Sequence, residues 1–493
     1  MLKDSQDLNL IIRSDIPIIR LETHEEARSL QLLTQVGIKQ GIPVYSWSVT
    51  EGVQRFGFGA DLAVDCCEPE EVLRHIKASQ QPALFVLCDF HPYLTNAPKI
   101  VRLLKEIALQ YATAKQTVVL LSHQLELPAE LSRYSAYFQL SLPSDAEIRS
   151  ILMEEAKAWA GNNQGAKVRT DNATLNKLIH NLQGMTYEDT RRLIKGAICD
   201  DGAITDEDIP EVGKAKFSLM DLDSILSYEY DTEKFADVGG LDNLRQWLDQ
   251  RRSSFIAGDE AAPSIDQPKG ILLLGVQGGG KSLAAKAVAG LWSIPLLRLD
   301  FAQLYNKYIG ESERNLRQAL ALADVMGPCV LWMDELEKGL SSSDEDGVGR
   351  RLLGTLLTWM AERNSPVFMV ATSNNIAELP AELVRKGRFD EIFFVDLPDD
   401  DVRRTIFEIH LKKRQQSVAA IDCQRLAACS EGFTGAEIEQ LIVSALYTAA
   451  AQQQVLTTAL LELEINKTNP LSVTMAEQVA VLRRWAANRA VRA

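Results

Sequence analysis

The sequence predicts an α/β protein made of two parallel-sheet modules, each followed by helices. Three observations carry this prediction. Short apolar runs alternate with helical patterns in both halves of the chain. In each half one buried run ends in carboxylate, at Asp89 and at Asp334-Glu335. A glycine-rich turn, Gly275-Val276-Gln277-Gly278-Gly279-Gly280-Lys281-Ser282, joins the apolar run Ile271–Leu274 to a helical run from Leu283 to Leu291.

Taken in order, Ile16 to Leu21 is strand-like, and a helical pattern follows from Glu25 to Gln40. Pro82–Asp89 and Thr117–Leu121 read as buried strands, and the pattern turns helical from Ala146 to Cys199. Residues 200–236 are acidic and weakly patterned, as a linker would be. Asp237-Val238-Gly239-Gly240-Leu241 opens the second module. Its strands are Ile271–Leu274, Cys329–Met333, Val367–Thr372 and Ile392–Val395, with a polar loop at Ser341–Gly347 and helices from Asp401. The expected division is a module at 1–199, a linker at 200–236, an α/β core at 237–398 and a helical region at 399–493.

The halves share motifs in the same order, as an internal duplication would. Phe138–Asp145 parallels Phe394–Asp400, and Gly184–Glu188 parallels Gly432–Glu437. They differ where chemistry would occur. The first-half counterpart of the glycine-rich turn is Glu22-Thr23-His24-Glu25-Glu26-Ala27-Arg28, without glycine or lysine. Acids there would repel a phosphate. His24-Glu25 fails the metalloprotease pattern, because position 28 is arginine rather than histidine.

At 493 residues the chain accommodates two or three domains, and 46% hydrophobic with 24% charged residues fits a soluble globular protein. A net charge of −15 argues against non-specific binding to nucleic acid or membrane surfaces. The seven cysteines show no zinc spacing, so buried free thiols in a reducing compartment are expected. No apolar run reaches membrane-spanning length, and Met1–Ser5 has no signal-like apolar segment. A cytoplasmic protein is expected, stromal if plastid-encoded.

Gly275–Ser282 fits the P-loop pattern G-x-x-x-x-G-K-S/T in its required strand-turn-helix context. Glycines turn backbone N–H groups inward around a phosphate, and the helix that begins there, with Leu283 in its first turn, adds its positive end. Lys281 would neutralise phosphates and Ser282 would hold Mg²⁺. Asp334 would hold the metal's hydration shell and Glu335 would polarise the attacking water. Asn374 would orient that water or touch the γ-phosphate, or open a loop in the bland reading. Arg385 and Arg388 bracket a glycine turn, and could reach a neighbouring subunit's phosphate or simply be solvated. Tyr308-Ile309-Gly310 could grip a polypeptide or pack at a helix entry.

Together these pieces resemble the AAA+ ATPases over roughly Asp237 to Ala450. The resemblance implies a P-loop core with parallel sheet, an α-helical lid, bound ATP and Mg²⁺, and hydrolysis, most often in a homo-hexameric ring. It implies Walker A at Gly275–Ser282, Walker B at Asp334 and Glu335, and sensor 1 at Asn374. It also implies arginine fingers at Arg385 and Arg388, a pore loop at Tyr308–Gly310, and adenine and ribose contacts at Gly435-Ala436. The whole chain is similar to a subgroup from algal plastids and cyanobacteria whose N-terminal half is a degenerate AAA+-like module. That subgroup is associated with regulation of photosynthesis and inorganic-carbon use. The Gly278-Gly279-Gly280 triplet lacks the proline of many relatives.

Three functions follow as expectations: an oligomeric ATP-driven remodeller of protein partners, a nucleotide-dependent regulatory switch without threading, and a nucleic-acid motor. The last would need a basic face, and Arg350-Arg351 and Arg483-Arg484 are the compact basic pairs to weigh.

Overall fold

The computed structural model describes residues 2–56, 66–199, 202–220, 225–229, 238–256, 266–304, 311–340, 347–385 and 387–493. Two compact units emerge, one of residues 1–143 with 186–188, the other of residues 144–185 with 189–493.

The first unit holds strands β1 (Ile18–Glu22), β2 (Val44–Ser48), β3 (Gly52–Phe56), β4 (Ala83–Cys88), β5 (Gln116–Ser122) and β6 (Ser135–Phe138). They form one sheet in the order β3-β2-β4-β5-β1-β6, parallel except for the β2–β3 hairpin. Both faces are covered, which is why β4 and β5 are continuous apolar runs. Ala83, Phe85 and Leu87 join one hydrophobic cluster, and Leu84, Val86 and Cys88 the other.

The second unit holds β7 (Leu226–Glu229), β8 (Gly270–Gly275), β9 (Leu296–Leu299), β10 (Cys329–Met333), β11 (Val367–Ser373), β12 (Glu391–Val395) and β13 (Val491–Arg492). Their order is β13-β12-β8-β11-β10-β9-β7. If β1, β2, β4, β5 and β6 are counted as first to fifth, the first sheet reads fifth, first, fourth, third, second. Counting β8 to β12 in the same way gives the same order in the second. The shared crossover pattern is what a duplicated module produces. Leu272 and Leu274 of β8 face one cluster, Ile271 and Leu273 the other.

The turn after β1 is closed by charge. Arg28 donates to Glu25 Oε2 at 2.7 Å, to Asp4 Oδ2 at 3.1 Å and to the Ser141 carbonyl at 3.1 Å. Its guanidinium lies 3.9 Å from the Tyr187 ring centroid. Arg28, Glu25 and Asp4 are all buried. Glu25, one of the acids expected to repel a phosphate, is thus neutralised by an internal cation, and it is this network that occupies the turn.

The linker expected at 200–236 is corrected in part. Asp208–Leu219 is a helix, and β7 pairs antiparallel with β9 at the sheet edge. Among the acids that suggested a linker, Asp206 and Glu207 are exposed. Asp206 pairs with Lys177, and Asp208 Oδ2 accepts from the Thr205 amide. The helical stretch from 144 to 185 also belongs to the second compact unit rather than the first.

Lys216 fastens that stretch. Fully buried, it donates to the carbonyls of Asn181 at 3.0 Å, Gln183 at 2.7 Å and Val325 at 2.8 Å. At the other end of the chain, helices Asp400–Lys413, Cys423–Cys429, Gly435–Ala451 and Thr458–Lys467 surround their own hydrophobic cluster. The chain then returns to the main core through Leu482 and Ala486 and adds β13 beside β12.

Lys216→Met leaves three buried carbonyls without their donor, so a stability loss of about 3 kcal/mol or more is expected in urea unfolding. Burial pushes the Lys216 pKa down from 10.5 to about 8. Between those values the unfolded chain holds the extra proton, so this group adds stability as pH rises. The gap between wild type and Lys216→Met should therefore widen from pH 8 to 10. A gap that narrows would contradict the assignment.

Candidate functional site

The site forms where β8, β10 and β11 end side by side. Gly278 and Gly280 take φ values of +75° and +96°, left-handed conformations open to glycine at little cost. They turn the chain from β8 into the helix Lys281–Trp292. Lys281 is buried and donates to the carbonyls of Gly275 at 2.9 Å and Val276 at 2.8 Å. Desolvation drives its pKa down to about 8, and the nearby Glu337, Asp334 and Glu335 only partly oppose this.

Asp334 follows β10 directly, and its Oδ1 accepts from the Thr372 hydroxyl at 2.6 Å. Arg298 comes within 3.7 Å of Asp334 Oδ2 while lying over the Trp332 ring. Glu335 has φ +48° and its amide donates to the Thr372 hydroxyl at 3.0 Å. Its Oε1 accepts from Asn374 Nδ2 at 3.1 Å, and its Oε2 pairs with Lys338 at 2.6 Å. That hydrogen bond raises the Lys338 pKa. Asn374 therefore touches the carboxylate that would handle the water.

These groups border one cavity of about 350 Å³. Gln277, Gly278, Gly279, Gly280, Lys281, Ser282 and Leu283 line it, with Asp334, Glu335, Asn374, Gly435 and Ala436. Gly275 and Val276 lie behind it as acceptors for Lys281. Thr434 caps the helix Gly435–Ala451 through a capping box with Glu437, and the Ala436 amide donates to the Gly278 carbonyl at 3.3 Å. Val238, Leu241, Ile406 and Ile409 give the cavity an apolar end. An apolar end opposite an amide-rich turn, one lysine and two carboxylates fits a nucleotide with a divalent cation. Ser282 and Asp334, which both line the cavity, would hold that cation.

Arg385 and Arg388 do not line the cavity. Arg385 is exposed, while Arg388 donates to the Leu357 carbonyl at 2.7 Å. Tyr308 and Ile309 lie outside the described residues. The sequence reading missed Glu337, which is buried, accepts from the Asn374 amide at 2.9 Å and keeps Oε2 without a hydrogen bond among the described residues. It also missed Thr372, Arg298, His410 and Glu439. Glu337 had a signal, as a third acid in Asp334-Glu335-Leu336-Glu337. One arginine of each basic pair is compensated, Arg351 by Glu313 and Arg483 by Asp396. Among the described residues, no helix is long and apolar enough to cross a membrane.

Comparison with known proteins gives three family matches. Residues 271–397 match the ATPase family associated with various cellular activities (AAA). Residues 4–140 match the N-terminal domain of SpoVK-like AAA ATPases, and residues 146–223 their second domain. The boundary between these last two agrees with the break between compact units after residue 143. Among curated relatives, the uncharacterized AAA domain-containing protein ycf46 of Trieres chinensis is 35% identical, covering 100% of this chain and 98% of its own length. Its namesake in Pyropia yezoensis is 34% identical over 98% of this chain and 97% of its own length. That of Guillardia theta is 35% identical over 99% and 96%.

Phosphate beside Lys281 favours its charged form, so binding must raise a pKa that starts near 8. ATP binding at pH 9 should take up protons, and affinity should fall as pH rises above 8, by up to about tenfold per unit. Calorimetry in two buffers of different ionisation heat measures the uptake. Binding at pH 9 without uptake would remove Lys281 from the phosphate site.

Proposed function

The chain belongs to the AAA ATPase family, among the ycf46 AAA-domain proteins, and from that premise we propose that it is a Mg²⁺-dependent ATPase that assembles into a ring and remodels protein partners. The observation that carries the hydrolytic reading is the Asn374–Glu335 hydrogen bond at 3.1 Å, made between two residues of the cavity that Lys281 also lines. Lys281 leaves its two loop carbonyls to hold phosphate. Ser282 and Asp334 would hold Mg²⁺, which when bound would neutralise charge developing on the phosphate oxygens. Glu335 accepts a proton from the attacking water, and Asn374 keeps its carboxylate aimed.

In the ring reading Arg385 and Arg388 act on a neighbouring subunit's site, where such a group is worth on the order of 10³–10⁵ in rate. Their position outside their own cavity supports this. Tyr308 and Ile309 would grip the substrate, and the first unit would select it. The resemblance to the plastid and cyanobacterial subgroup implies a regulatory role in photosynthesis or inorganic-carbon use, in the cytoplasm or the stroma. The pairing of Arg351 and Arg483 with carboxylates and the charge of −15 weigh against a nucleic-acid motor.

A second reading, a nucleotide switch that needs no ring, draws on the bond between Arg388 and the Leu357 carbonyl of its own chain. ATP turnover per subunit as protein concentration rises separates the two. The ring predicts a rate that climbs, saturates and collapses in Arg388→Ala while nucleotide remains bound. A concentration-independent rate indifferent to Arg388 would leave the switch. In either case Glu335→Gln should lower turnover by about 10²–10⁴-fold with binding kept. A Glu335→Gln protein that turns over normally would end the hydrolytic assignment.

A further inference from the structure

The first unit carries a second constellation at the place corresponding to the ATP site. Asp89 follows β4 as Asp334 follows β10, and His123 follows β5 as Asn374 follows β11. His91 lies two residues beyond Asp89. One ligand atom from each of Asp89, His91 and His123 lies within 4.8 Å of those of the other two. His24, from the turn after β1, stacks on His123 with ring centroids 5.7 Å apart, and His91 meets His123 edge-on at 4.6 Å. Three of the six histidines in the chain thus cluster at this strand end, two of them with a ligand atom within 4.8 Å of one from its carboxylate.

We propose that Asp89, His91 and His123 form a binding site for a first-row divalent metal ion of the zinc class. The donor chemistry selects the ion. Two imidazoles with one carboxylate suit Zn²⁺ and its neighbours, whereas Mg²⁺ and Ca²⁺ take oxygen ligands. Tetrahedral donors about 2.0–2.1 Å from such an ion stand about 3.3 Å apart, so modest rotations of half-buried and exposed side chains close the set. A fourth position stays open to water or to a partner's group.

The backbone under the set is fixed. Asp89 sits at φ +51° and its amide donates to the Leu121 carbonyl at 2.8 Å. The Thr23 amide donates to the Ser122 carbonyl at 3.0 Å, which ties the His24 turn to the end of β5. His91 is held between Phe90 and Tyr93, whose rings pack edge-on against Trp47 at 5.4 and 6.2 Å. Ligands carried by a locked backbone lose little entropy on binding.

An independent observation points the same way. Nδ1 of His91 is shielded from solvent and makes no hydrogen bond among the described residues. Buried polar atoms without partners are uncommon, and a His91 ring turned so that this nitrogen joins the set would give it one. The Arg28–Glu25–Asp4 network closes the neighbouring turn to phosphate, so this constellation is not a remnant nucleotide site.

The test is a Co²⁺ titration of the chelator-stripped full-length chain, read by visible absorption. One equivalent per chain, with ligand-field bands and no thiolate charge-transfer band, is expected. His91→Asn and His123→Asn should each weaken Co²⁺ binding by at least ~10-fold, while Asp334→Asn leaves it unchanged. Loss in Asp334→Asn, a thiolate band, or titration unaffected by both histidine variants would overturn the proposal. If a variant does not fold, wild type still decides. Co²⁺ should protect His91 and His123 from carbethoxylation mapped by mass spectrometry, and absence of protection would also overturn it.

Discussion

Strand order is the constraint on which both units depend. When the first strand lies beside the fourth and the fourth beside the third, three segments distant in sequence end next to one another. Parallel pairing puts all three C-terminal ends on one edge, where the helices that follow aim their N-termini. In the second unit this brings Lys281, Asn374 and Asp334 together. In the first it brings His24, His123 and Asp89 together. The topology makes a meeting point, and the residues at that point determine the chemistry it can perform.

Much of this was legible in the sequence where local patterns and burial agree. β4, β8, β10 and β11 are apolar runs because both faces are covered, so composition alone reveals them. The glycine-rich turn was legible because few residue combinations can line a phosphate. β2, β3, β7, β9 and β13 escaped notice. They are short, lie toward the sheet margins or are mixed in polarity, and owe their state to a neighbouring strand. Leu226–Glu229 is the clearest case, a four-residue strand hidden in an acidic stretch. Side-chain convergence was harder still. The sequence offered Asp334, Glu335 and Asn374 as separate candidates, but only the register of β10 against β11 puts Asn374 on Glu335 and Glu337 behind it. His24, His91 and His123 had no spacing signal, since each comes from a different strand-end turn.

Three buried cations show how similar groups acquire different duties. Lys216 meets three carbonyls from two helical regions, so moving it would unfasten both. Lys281 has its pKa lowered to about the same value by the same desolvation, yet its two acceptors belong to the loop that it helps shape. It lies beside a cavity and can exchange those acceptors for a ligand. Arg28 stands near the corresponding turn of the first unit, with its charge already committed to Glu25 and Asp4. Removing it would strand two carboxylates away from water, a change that commonly costs about 3–5 kcal/mol. The first unit's turn is therefore held shut by its own stability.

The bond from the Ala436 amide to the Gly278 carbonyl gives the helical region a mechanical character. It sits at the start of a 17-residue helix, a rod about 25 Å long at 1.5 Å per residue. That rod is cemented into a cluster of its own around Phe407, Leu426 and Leu441, separate from the sheet's clusters. A rigid body pinned near one end works as a lever. A sub-ångström rearrangement of the glycine turn displaces the fulcrum slightly and the far end, near Ala451, by a multiple of that distance. The glycine turn is thereby coupled to the helical region through this amide, beside the packing of Val402 and Ile406 on Gly239 and Gly240.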